Sequence, residues 1–119
     1  MIACDDVLTN SQLSSKPVIV GLTTAFRANK YPFRLPGLCV FLVLTGGRGQ
    51  GMATLRIVDD GSEDLVVKFS HPIAFPTDPL AVSGIPWRLL DVGFPRPSVY
   101  RVEFRYNDVN LAQQLIEAR

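Results

Sequence analysis

The sequence predicts an all-β chain, an antiparallel β-sandwich of seven or eight strands in a single domain spanning residues 1–119. Three observations carry that expectation. Apolar residues recur with period two, the mark of strands with one face buried. The periodic segments are short and separated by clusters of Gly, Pro, Asp, Asn and Ser. The chain has 119 residues, 47% apolar and 19% charged, which suits one hydrophobic core without disulfides or metal.

Taken in order, the first two apolar segments, "PVIVGLTTAF" (17–26) and "LCVFLVLT" (38–45), are apolar on both faces. Such strands need cover on both sides. A dimer mate, another partner or an extra segment such as Met1–Leu13 could supply it. Cys4 reads as part of a polar N-terminus. "MATLRIVDD" (52–60) places Leu55 and Ile57 on one side and Thr54, Arg56 and Val58 on the other. "DLVVKFS" (64–70) turns Leu65, Val67 and Phe69 inward and Lys68 and Ser70 outward. "DPLAVSGIPWRLLDVGF" (78–94) reads as one or two strands broken at Gly84-Ile85-Pro86. Pro86 belongs at an edge or a strand start, because it has no N–H for a ladder.

"VYRVEFRYND" (99–108) is the cleanest alternation. Tyr100, Val102, Phe104 and Tyr106 face in, and Arg101, Glu103 and Arg105 form a wet outer face. "DVNLAQQLIEAR" (108–119) has helix-forming composition but follows the tight turn "YNDVN". It is expected to be a terminal strand pairing back onto Tyr100–Tyr106. The separators are "GGRGQG", "DDGSED", "HPIAFPTDP" and "GFPRPS".

Several chemistries fail on context. "TGGRGQGMAT" (45–54) is glycine-rich, but neither Lys-Ser/Thr nor a helix follows, so the phosphate cradles of nucleotide-binding proteins are not indicated. It reads as a hairpin loop whose glycines supply φ > 0. Asp59, Asp60, Glu63 and Asp64 in "DDGSED" are the only calcium candidates, set against a plain turn. Arg27, Lys30 and Arg34 among Tyr31 and Phe33 mark a possible interaction loop. A net charge of +1 makes nucleic acid an unfavoured partner. His71, Cys4 and Cys39 have no zinc spacing, and Cys39 lies in too apolar a run to act as a nucleophile. Trp87, the lone tryptophan, reads as a core residue whose N–H finds a partner. No cofactor, metal site or catalytic constellation is expected, and the chain is not expected to be an enzyme.

In "FPRPSVYRVEF" (94–104), Phe94, Pro95, Pro97, Tyr100 and Val102 resemble the final hairpin of immunoglobulin-like sandwiches, where "PGxYxV" is common. The resemblance implies that Tyr100 bonds back to upstream backbone; Ser98 stands where glycine is usual. "LPGLCVFLVLTGGRGQG" and "FPRPSVYRVEFRYNDVNLAQQ" resemble a bacterial β-sandwich domain family of unknown function, over about a third of the chain. That likeness implies a small sandwich and no activity.

The expected function is therefore a non-catalytic interaction module, self-associating as a homo-oligomer or serving as a subunit of a larger assembly. The alternative is a sandwich binding calcium, carbohydrate or nucleotide through loops at one end, carried by Asp59, Asp60, Glu63 and Asp64 or by Trp87. With no signal-like start, no apolar run of membrane-spanning length and two thiols read as reduced, the expected compartment is the cytoplasm.

Overall fold

The computed structural model describes residues 1–9, 17–78 and 80–119. Among the described residues there are nine strands: β1 (Ile2–Thr9), β2 (Pro17–Leu22), β3 (Ala25–Phe26), β4 (Phe33–Thr45), β5 (Gln50–Asp59), β6 (Leu65–Ala74), β7 (Val82–Phe94), β8 (Ser98–Tyr106) and β9 (Val109–Ala118). They form two sheets packed face to face. The first has the order β2-β1-β4-β7 and the second β3-β9-β8-β5-β6. All neighbours are antiparallel except the short β3–β9 pair, which is parallel. No helix among the described residues is long and apolar enough to cross a membrane.

The core lies where the period-two pattern puts it. Leu38, Val40 and Leu42 of β4 and Leu89, Val92 and Phe94 of β7 pack against Leu55 and Ile57 of β5 and Tyr100, Val102 and Phe104 of β8. The terminal segment is the strand expected, with Tyr100 opposite Ile116 and Tyr106 opposite Val109. Alternating Leu111–Leu115 exposure fits a strand, and the long ladder to β8 outweighs helix propensity.

Five expectations need correcting. The glycine loop is not a hairpin: β4 pairs with β1 and β7, whereas β5 pairs with β6 and β8, so residues 46–49 carry the chain from one sheet to the other. Gly46 and Gly49 do take positive φ there, 74° and 67°. β7 is unbroken at Gly84-Ile85-Pro86, because β4 pairs with it from Phe33↔Phe94 to Thr45↔Val82. Pro86 is tolerated because β7 is an edge strand. "HPIA" is not a separator but the end of β6, continuing the ladder to Gln50↔Ala74. Leu65 faces out, because the β5–β6 register shifts between Ile57 and Val58.

Finally, Cys4 is not in a polar tail. It lies in β1 directly opposite Cys39 and is fully buried. Cys4, Val7, Cys39 and Phe41 form a second cluster on the outer side of the first sheet, with Ile2 and Ile19 packed against it. The chain itself thus supplies the second cover that the doubly apolar β4 requires at Cys39 and Phe41. Residues 10–13 of the proposed Met1–Leu13 cover lie outside the described residues.

Candidate functional site

The two sheets meet unequally along their flanks. β6 ends the second sheet and β7 ends the first, and between these edges the sandwich gapes. The resulting cleft has a volume of about 760 Å³ and is lined from β6 by Phe69, His71 and Ile73 and from β7 by Ser83, Ile85 and Trp87. These are alternate residues of each strand, the inward-facing set. An inward-facing residue of an edge strand has no neighbour on one side, so apolar groups that would fill a core instead wall a groove. That volume falls within the range of small-molecule sites.

Trp87 is therefore not a closed core residue. It is half-buried, meets Phe104 edge-on at 6.4 Å between ring centroids, and presents its remaining surface to the cleft. The only tryptophan and the only histidine of the chain share this groove. His71 Nδ1 lies 2.6 Å from the carbonyl oxygen of Pro72. A carbonyl can only accept, so this contact is a hydrogen bond in the tautomer that carries its proton on Nδ1.

Each edge also carries a proline in the cleft wall, Pro72 on β6 and Pro86 on β7. Met52, opposite Pro72, has its N–H bonded to Asn107 Oδ1 and its C=O bonded to the Asn107 amide. Both groups of Met52 thus turn away from β6, and the backbone of Pro72 faces the open edge. There it has no N–H, and its carbonyl is taken by His71. Pro86 likewise has no N–H to offer. Prolines placed this way blunt an edge against pairing with another strand.

The residues singled out by sequence fall elsewhere. Asp59, Asp60, Glu63 and Asp64 sit together at the β5–β6 turn, but arginines claim them. Arg96 Nη2 lies 2.8 Å from Asp59 and 3.5 Å from Asp64, and Arg101 is 2.7 Å from Asp60 and 2.6 Å from Glu63. Asp59 also accepts from the Gly61 and Ser62 amides and the Ser98 hydroxyl. Burial alone would raise its pKa, yet these partners and Arg96 hold it below the usual carboxylate range. Among the described residues no three His, Cys, Asp or Glu side chains are grouped as metal ligands.

Glu103, expected on a wet face, is only 3% exposed. Arg56 at 2.5 Å and Arg101 at 2.8 Å close over it, with Arg105 at 3.5 Å. Burial pushes its pKa up and the arginines pull it down further, so it stays ionised. The alternation pattern identifies the face but not that three cations cover it.

The basic–aromatic segment divides. Phe33 and Arg34 belong to β4, Phe26 stacks between Phe33 and Phe94, and the Tyr31 hydroxyl donates to the Arg119 carbonyl at 3.0 Å. Arg34 donates to the Asp91 carbonyl, and Arg27 and Lys30 are exposed. Tyr100 bonds to the Arg96 carbonyl, four residues upstream.

The profile of a family of unknown function, DUF6941, matches residues 1–118. The chain belongs to this family. No curated protein and no solved structure matches it. Membership agrees with the likeness to an unknown-function domain and assigns no chemistry to the cleft.

Proposed function

We propose that this chain is a non-catalytic binding module whose working surface is the cleft between β6 and β7. The observation that carries this reading is a groove of ligand size, apolar on both walls, whose two edges are each blunted by proline. A further strand would find no ladder donor at Pro72 or Pro86. A compact apolar ligand needs none.

The sandwich reads as immunoglobulin-like. What supports this is the order β1-β4-β7 facing β9-β8-β5-β6, together with the bond from Tyr100 at the start of β8. In that arrangement a further strand lies beside β7, and here the cleft opens at that place. Two buried thiols that face each other unbonded support a reducing, cytoplasmic location.

Energy transfer from Trp87 to the neutral fluorophore N-phenyl-1-naphthylamine tests the cleft. Saturable transfer at one site per chain, lost in Ile85→Arg, is expected. Binding that Ile85→Arg leaves unchanged would place the site elsewhere and sink the reading.

Self-association is a second reading. Its support is now the apolar rim beside the cleft, Leu80, Val82 and Leu90, the last 75% exposed. Light scattering that gives a strict monomer at high concentration would remove it.

A further inference from the structure

The chemistry of the cleft wall selects among apolar ligands. No acidic side chain lines it, so no carboxylate there would pair with a cationic ligand. Its one permanent cation, Arg88, is already engaged: Nε lies 3.2 Å from Asp6 Oδ1, and Nη2 donates to the Val7 carbonyl at 2.9 Å. Those partners lie on β1, beyond β4, so the guanidinium is drawn across the outer face of the sheet and away from the groove. An anionic head group would have to take it from Asp6.

What remains are three uncharged groups. In the tautomer that donates Nδ1–H to the Pro72 carbonyl, His71 Nε2 carries a lone pair and can accept one hydrogen bond. Ser83 can donate and accept. Trp87 offers an indole N–H. The rest of the wall is aliphatic, Ile73, Ile85 and Leu89 among it, with two aromatic rings, Phe69 and Trp87, one from each strand, against which an aromatic ring system can make offset or edge contact.

A group that both donates and accepts while carrying no charge answers this set: a hydroxyl. We propose that the ligand of the cleft is a neutral hydroxylated aromatic of the phenol class, its O–H donating to His71 Nε2 and its oxygen accepting from Ser83 or Trp87. This rests on the cleft being the binding site and adds the head group.

Calorimetry at pH 7.5 with three probes of one ring size tests it. These are 2-naphthol, which is neutral there; 2-methoxynaphthalene, which lacks the donor; and the anion 2-naphthoate. The naphthol is expected to bind about tenfold more tightly than either, the upper end of what one hydrogen bond contributes. His71→Phe should abolish that preference, read as the ratio of the 2-naphthol and 2-methoxynaphthalene affinities. His71→Gln, which restores an acceptor, should recover part of it.

Tightest binding of the naphthoate overturns the neutral head group. Equal binding of all three, or a preference that survives His71→Phe, overturns recognition by His71 and leaves the cleft reading standing. If none of the probes binds and N-phenyl-1-naphthylamine does not either, the cleft reading fails with it.

Discussion

The hydroxyl of Tyr100 donates to the carbonyl oxygen of Arg96 at 2.5 Å, while its ring packs edge-on against Phe94 at 4.8 Å. One buried side chain thus anchors the turn from β7 into β8 and fills the core beneath it. Tyr100→Phe keeps the ring and strands the carbonyl. It should cost about 1–2 kcal/mol in urea unfolding with an unchanged m-value. A loss below about 0.3 kcal/mol would mean that water satisfies the carbonyl.

The inner-facing Gln114 ties the sheets together. Its Oε1 accepts from the Ala3 amide at 3.0 Å and its Nε2 donates to the Thr23 carbonyl at 3.2 Å. Gln114→Leu preserves bulk but orphans an amide and a carbonyl. A destabilisation of about 1–3 kcal/mol is expected from thermal unfolding, larger than for Gln113→Leu on the outer face.

Asp59, Glu63 and Glu103 are all held below their ordinary pKa values, Asp59 and Glu103 against the opposing effect of burial. Groups shifted in this direction stabilise the fold above their unfolded pKa, near 4. They lose that contribution as pH falls through the lower folded values. Stability should be flat above about pH 5 and decline below about pH 4. Glu103→Gln should cost about 2 kcal/mol at pH 7 and much less at pH 3. An equal cost at both pH values would show that Glu103 acts by packing rather than charge.

Burial, followed by the neighbouring Cys39, pushes the Cys4 thiol up to about 11, and burial raises Cys39 as well. Both should resist a thiol-specific reagent in the folded protein at pH 8 and react fully in denaturant. Rapid labelling of either without denaturant would show that β1 opens locally.

Much of this architecture is legible in the sequence, because one-sided burial writes itself as alternation. Tyr100–Tyr106 and Leu55–Ile57 are placed by that signal alone. Strand limits are less legible: Pro86 and Pro72 look like breaks, yet an edge strand needs no N–H on its open side. β1 is hidden because Asp5 and Asp6 interrupt the pattern that Ala3, Cys4 and Val7 continue. Of the cleft, only Trp87 stands out in the sequence as a ligand-binding candidate. Phe69, His71, Ile85 and Trp87 carry an ordinary core pattern, and only the sheet order reveals that their strands are the outermost. Had β6 and β7 been recognised as edges, the facing prolines would have marked the place.

The order in which the chain visits the two sheets has its own consequence. β1, β2, β4 and β7 build one, and β3, β5, β6, β8 and β9 the other, so the backbone shuttles between them throughout its length. Cutting at the 46–49 crossing would leave neither fragment with a complete sheet: β7 would be severed from β4, and β3 from β9. Each fragment would also lose opposing strands that cover the inner face of its sheet. The sandwich is therefore gained and lost as one cooperative unit, with the slow assembly typical of chains whose partners are far apart in sequence.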